Sequence, residues 1–296
     1  MNKGVLSGIA AYLIWGFFPI YLKALLVVPA LQIMLHRVVW AFVFVTLIVI
    51  LRKRWHGIII SLRNPRVLLV YTLTAILLSV NWLVYIYGIN SGQVVETSLG
   101  YFINPLLSVA LGVIILHERL RPMQWLPVGL AGLGVLYLTL QYGALPWIAL
   151  VLAVSFGLYG LIKKIAPLGT VDSVFVETGI IFFPALFFIF FYESQGAGAF
   201  GHQGWQISIL LVFSGVVTAF PLLLFGQAAR SIPLSLLGIL QYIAPTVQFL
   251  LGIFLYQEPF SLTRLVGFAI IWLALLIFSL EGFLNHRKQA APASAL

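Results

Sequence analysis

Cysteine is missing from this chain altogether, which excludes disulfides, thiolate metal sites and a cysteine nucleophile. Charge is almost as scarce: 8% of the residues are Asp, Glu, Lys or Arg, against about a quarter in soluble domains. Only seven residues are acidic, most of them at the ends of apolar runs, and the five histidines form no ligand-like pair. A metal centre therefore finds no donor set. A GxxxxGK[ST] phosphate loop, an HExxH helix and a serine elbow are also missing, so ATP-driven work and hydrolase chemistry have no motif to rest on. These absences weigh against an enzyme, a metal and any cofactor.

What is present is apolar: 62% of the residues are hydrophobic and the mean hydropathy is +1.11. Runs of about 20 apolar residues suffice to cross roughly 30 Å of hydrocarbon. Ten such runs are predicted as helices, at 5–26, 30–51, 67–90, 94–116, 124–141, 145–162, 173–192, 205–227, 233–256 and 262–284. The fold class is all-α integral membrane, and the first partner is the lipid bilayer. The net charge of +9 sits in short loops between runs, a topology signal that weighs against nucleic acid. Residues 286–296, rich in Ala, Pro and Ser, read as a disordered tail.

The chain repeats itself. Tyr101-Phe102-Ile103-Asn104-Pro105, Gly112 and His117-Glu118 return as Gln241-Tyr242-Ile243-Ala244-Pro245, Gly252 and Gln257-Glu258, offset by 140 residues. The first run belongs to this duplication and is not a cleaved leader: Trp15-Gly16 and Lys23 match Phe156-Gly157 and Lys164, 141 residues on. The units are 3–142 (helices 1–5) and 143–285 (helices 6–10).

Ten spans put both termini on one side. If that side is cytoplasmic, it holds thirteen of the sixteen Lys and Arg residues, and only Lys23, Arg37 and Arg264 fall on the other. Five spans per unit is an odd number, so the second unit is inverted relative to the first. Inverted repeats with a site between the halves are the architecture of secondary transporters.

The run Ser98-Leu99-Gly100-Tyr101-Phe102-Ile103-Asn104-Pro105, continuing to His117-Glu118-Arg119-Leu120 and Gln124-Trp125-Leu126, resembles the RarD branch of the EamA-type drug/metabolite transporters. His36-Arg37-Val38, Asn81-Trp82 and Gln241-Tyr242-Ile243-Ala244-Pro245-Thr246 extend the resemblance over nearly all of residues 3–285. It implies a bacterial inner-membrane carrier. The branch's chloramphenicol label is a phenotype and names no substrate.

Ionisable groups inside apolar runs are expensive and point to function. Arg37 and Glu177 are repeat-equivalent, 140 residues apart and opposite in charge, and are expected to face one cavity from opposite ends as gates or substrate contacts. The alternative is that Arg37 snorkels and Glu177 favours a helix N-terminus. Glu96 is either a proton acceptor and counter-ion for Arg37 or a first-turn acid at a helix start. Glu118 and Glu258 read as structural turn residues, and Lys163 and Lys164 as topology anchors. Pro105 and Pro245 kink their helices and would present Tyr101, Asn104, Gln241 and Tyr242 to the centre. Trp15, His36, Trp40, Asn81, Trp82, Tyr85 and Tyr159 complete the expected cavity, which suits a partly apolar organic solute. Gly129, Gly132 and Gly134 are expected at close helix contacts.

These residues lead to a secondary carrier for a small organic metabolite or drug-like solute, working by alternating access, with proton-coupled export or exchange both compatible. A monomer suffices for two repeats, without excluding a dimer. A transport-inactive scaffold or sensor subunit is the first alternative, and a membrane-embedded enzyme the second.

Overall fold

The computed structural model describes residues 2–91, 93–142, 145–257 and 262–290, and every regular element among them is helical. The first half holds α1 (Lys3–Lys23), α2 (Ala30–Leu51), α3 (Trp55–Leu62), α4 (Pro65–Asn90), α5 (Val94–Ile114) and α6 (Pro122–Tyr142). The second holds α7 (Trp147–Ile165), α8 (Thr170–Ser194), α9 (Trp205–Ser231), α10 (Leu234–Gln241), α11 (Ile243–Leu250), a π turn at Leu251–Leu255, and α12 (Leu262–Ala290). Among the described residues ten spans are long and apolar enough to cross a membrane, with α10, α11 and the π turn forming one of them.

Local sequence sets several of these boundaries. Asn2 caps α1 by accepting from the Gly4 amide, and Asn64 caps α4 by accepting from the Arg66 amide, with Pro65 in the first turn. His117 and Gln257, which are repeat-equivalent, both take positive φ (53° and 52°) just after the fourth and ninth spans. The duplicated sequence thus ends both spans with the same left-handed turn, which returns the Glu118 amide to the Gly112 carbonyl at 2.9 Å.

Three expectations are corrected. The segment between the second and third spans contains the short helix α3, which places Ile58 in the core and Trp55 and Ile60 outside. The tail expected from residue 286 is still helical to Ala290, and its remainder, 291–296, lies outside the described residues. Of the three glycines expected at close contacts, only Gly134 meets a neighbouring helix, at Ile271 and Ile270; Gly129 and Gly132 have open space. The tightest approach to a neighbouring backbone is elsewhere, where a Cβ on Gly215 of α9 would lie 2.3 Å from the Trp40 backbone carbonyl carbon of α2.

Contacts between the halves obey one exchange rule. Helix α5 packs on α7 and its counterpart α10–α11 on α1; α4 packs on α7 and its counterpart α9 on α1; α2 packs on α9 as α8 does on α4. Helices α2 and α8, α6 and α12, and α5 and α10 meet their own counterparts. With five spans in each half, the two halves run in opposite directions through the bilayer. The outward faces are apolar, as lipid requires: Phe183, Phe187, Phe188, Phe190 and Phe191 on α8 are all exposed.

Candidate functional site

A cavity of about 150 Å³ lies at the centre of the bundle, between α1, α2, α4, α5, α7, α9 and α10–α11. Its residues come from the half of the bundle remote from the termini: the later part of α1 and α4, and the earlier part of α2, α5 and α7.

Among the described lining residues Arg37 alone is charged. Its Nε donates to Thr218 Oγ1 at 2.9 Å, and its guanidinium lies 4.6 Å from the Phe18 ring centroid and 5.5 Å from that of Trp82. Helix α2 can carry this cation because its cost in a span is offset by rings on two sides and one hydroxyl. Arg37 forms no ion pair among the described residues.

Amides supply the rest of the polarity. Asn81 Nδ2 donates to the Leu152 carbonyl and to Ser155 Oγ, both at 3.0 Å, and its oxygen has no partner among the described residues. Asn104 Oδ1 accepts from Ser108 Oγ at 3.2 Å, and its amino group has no partner among the described residues. Gln241 is buried and makes no side-chain hydrogen bond among the described residues, and the Tyr12 hydroxyl is buried without a partner. Gln248 donates to the Trp15 carbonyl at 3.0 Å. Proline at 105 and 245 removes the amide donor for the carbonyls of Tyr101 and Gln241, four residues earlier and both in the lining. The two kinks differ. Helix α5 runs on through Pro105, whereas the second copy breaks at Tyr242 and passes through α11 into the π turn.

Of the expected residues, Trp15, Arg37, Asn81, Trp82, Tyr85, Tyr101, Asn104, Gln241 and Pro245 meet at this cavity. The others lie elsewhere. His36 and Trp40 pack against Phe200, with ring centroids 5.4 and 6.0 Å away. Tyr242 is buried and donates to the Phe102 carbonyl at 3.2 Å. Tyr159 is fully buried, stacked on Phe225.

Glu177 does not face Arg37. Lys163 Nζ is 3.1 Å from both of its carboxylate oxygens, Tyr159 donates to it at 3.1 Å, and Lys163 also donates to Ser173 at 2.6 Å. Lys163 is therefore no surface anchor; it is 2% exposed, and Glu177 is 0% exposed. The inverted repeat still explains the placement. Tyr159 is the counterpart of Phe18 (offset 141) as Glu177 is of Arg37, so the same corner of each half holds a charge against a ring. One corner opens on the cavity and the other is sealed.

The sealed corner belongs to a layer of polar ties at the terminus end. Lys164 reaches the Ile232 carbonyl at 2.6 Å and Glu118 at 3.7 Å. Glu118 accepts from the amides of Leu234 and Ser235 at 2.6 and 2.9 Å, capping α10. Arg230 donates to the Ala166 and Leu168 carbonyls, both at 2.7 Å, and Arg54 pairs with Asp172 at 2.7 Å. Between this layer and the cavity lie Tyr12, Trp15, Phe156, Tyr159 and Phe225, ring against ring. Glu96 accepts from the Ile148 amide at 2.6 Å and so caps α7, a neighbouring helix and not its own. Glu258 lies outside the described residues.

Sequence reasoning missed Lys163, Thr218, Tyr12 and Gln248. Some signal was there: Lys163 follows Tyr159 by one turn, as Glu177 follows Ser173, which aligns four polar groups on two helix faces. Among the described residues no group of three or more His, Asp or Glu side chains is arranged to hold a metal ion.

Ten apolar helices around a central cavity define a multi-pass membrane protein. The EamA-like transporter family matches residues 2–140 and again 145–280, and the chain belongs to that family, among its RarD-type members. It is 44% identical to Protein RarD of Streptomyces exfoliatus over 99% of this chain and 93% of the relative. It is also 44% identical to the uncharacterized transporter YojE of Bacillus subtilis, over 94% of each. A crystal structure of a protein 18% identical in sequence matches with a TM-score of 0.69 over 94% of this chain and 98% of the other, a likeness of fold.

Proposed function

We propose that the protein is a secondary active carrier that moves a small organic solute through the central cavity by alternating access, in the bacterial inner membrane with both termini cytoplasmic. The observation that carries this reading is the asymmetry of two equivalent corners. Arg37 stands open on a cavity in the half away from the termini, while Glu177 is closed beneath Tyr159 and Lys163 in the other half. A molecule built of two exchangeable halves reaches its second state when each half takes up the other's conformation. On this reading the conformation is the outward-facing one. The Lys163–Glu177 pair is the inner latch, and its opening gives the solute its way to the cytoplasm. The units 3–142 and 143–285 are the exchanging bodies.

Proton coupling would act through Glu177, whose protonation removes one charge of the latch. Glu96 is the weaker candidate, since it is engaged at the start of α7. The test is flux of a broad metabolite panel in proteoliposomes, with and without an imposed pH gradient. The carrier reading expects protein-dependent movement of at least one solute, and Glu177→Gln should remove any dependence on the gradient. Folded protein that moves nothing across the panel would favour the scaffold alternative.

A further inference from the structure

Among the described residues, no ion pair balances the charge of the cavity. Arg37 uses only Nε, on Thr218. Its two terminal amino groups carry no hydrogen bond among the described residues, and neither is a buried orphan, so both are open to the cavity. An unpaired cation inside a span is costly, and a fully occupied state needs an anion there. The rings of Phe18 and Trp82 hold the guanidinium in place, and a planar fork with two free amino groups matches the two oxygens of a carboxylate.

We propose that the cavity binds an organic monoanion, its carboxylate paired with the outer amino groups of Arg37 and its body lying among the aromatic walls. This rests on the carrier reading for its role, though not for the binding itself. The count of charges sets the class. With one cation and no acid among the described lining residues, a monoanion is neutralised, an amine is repelled and a dianion keeps an uncompensated charge. The unengaged Asn81 oxygen, the Asn104 amino group, the Gln241 amide and the Tyr12 hydroxyl mark where the rest of the molecule carries polar atoms. Gln241 is the clearest of these, being 6% exposed with neither amide atom bonded among the described residues. Trp15, Trp82, Tyr85, Tyr101 and Phe156 give the walls an apolar, ring-accepting character.

The test uses purified full-length protein and three matched probe sets: arylalkanoic acids such as 3-phenylpropionate and indole-3-acetate, their primary amides, and their amines; phenyl phosphate serves as the dianion. Quenching of the two lining tryptophans reports binding, with thermal shift as a second readout. The acids should bind at least tenfold more tightly than amides of the same shape, and amines should not bind. Arg37→Lys should weaken the acids about tenfold, because it keeps the charge and loses the fork. Arg37→Gln should abolish the preference of acid over amide. The comparison on the unaltered protein stands even if the variants fold poorly. Equal binding of acids and amides, preference for amines or for the phosphate, or no saturable binding of any acid would overturn the proposal. Failure of the carrier reading would look different: acids would bind through Arg37, yet proteoliposomes would carry no flux of them.

Discussion

Replacing Glu177 with Gln strikes the inner latch at its acceptor. The carboxylate takes three hydrogen bonds, two from Lys163 and one from Tyr159, each at 3.1 Å, and both charged side chains are at most 2% exposed. Removing one partner of such a buried pair costs about 3–5 kcal/mol, because the other charge is left without compensation. That cost falls on the conformation in which Lys163 is enclosed. If opening the latch lets Lys163 reach water, the ratio of closed to open falls by roughly 10²–10⁴. The natural absence of cysteine makes this measurable with a single introduced thiol. Ala229 is fully buried at the sealed end, and Lys164 comes within 3.4 Å of its carbonyl. A cysteine at 229 should react slowly with a maleimide in the parent background and at least tenfold faster with Glu177→Gln added. The double change Lys163→Met with Glu177→Leu separates latch from fold: it replaces the pair by apolar groups, which is often neutral or stabilising. Its thermal stability should hold and labelling at 229 should return to the slow parent rate, because no charge is left uncompensated. Unchanged labelling with Glu177→Gln, in folded protein, would refute the latch.

Glu118→Ala strips the cap from α10, leaving the Leu234 and Ser235 amides unmet, and should lower thermal stability by about 1–2 kcal/mol; an unchanged melting temperature would count against the capping role. Glu96→Gln keeps an oxygen for the Ile148 amide and should retain both fold and flux, whereas loss of flux with intact folding would return Glu96 to the coupling chemistry. Gly215→Ala drives a methyl into the Trp40 backbone and should cost about 1–3 kcal/mol. Gly129→Ala, in open space, should be neutral or stabilising by up to about 1 kcal/mol, and the two melting curves should separate accordingly. Arg54→Ala breaks a pair whose arginine is half exposed and should cost no more than about 1 kcal/mol; a larger loss would mean that the Asp172 contact anchors the terminus end.

The spans were legible because hydropathy alone decides where a chain can cross hydrocarbon, and the duplicated proline segments made the two halves visible. Arg37 was legible for the same reason, as a charge where none is tolerated without cause. Its relation to Glu177 was not. Equivalence under an inverted repeat places two residues at opposite ends of the bundle, and the partner each finds depends on which end is closed. Lys163 was hidden by its neighbour: Lys163 and Lys164 adjoin at a helix end, and only their facing decides that one is enclosed and the other reaches the Ile232 carbonyl. His36, Trp40 and Tyr159 were misplaced because α2 and α7 are buried over much of their circumference, so apolar periodicity does not mark one face. The break at Tyr242, where its counterpart Phe102 stays helical, has no local cause in the sequence.

The most direct test of a central transport path is to plug it. Leu22 lines the cavity at the end of α1 and is half-buried, and a cysteine there would be the chain's single thiol. Proteoliposomes holding Leu22→Cys protein are loaded with a mixed metabolite extract, and protein-dependent release is followed by mass spectrometry before and after treatment with a bulky maleimide. Release of at least one small organic species that stops on modification, while a cysteine-free control is unaffected, is the result expected of a carrier with its path through this cavity. Release that continues at the same rate with position 22 fully modified would contradict it.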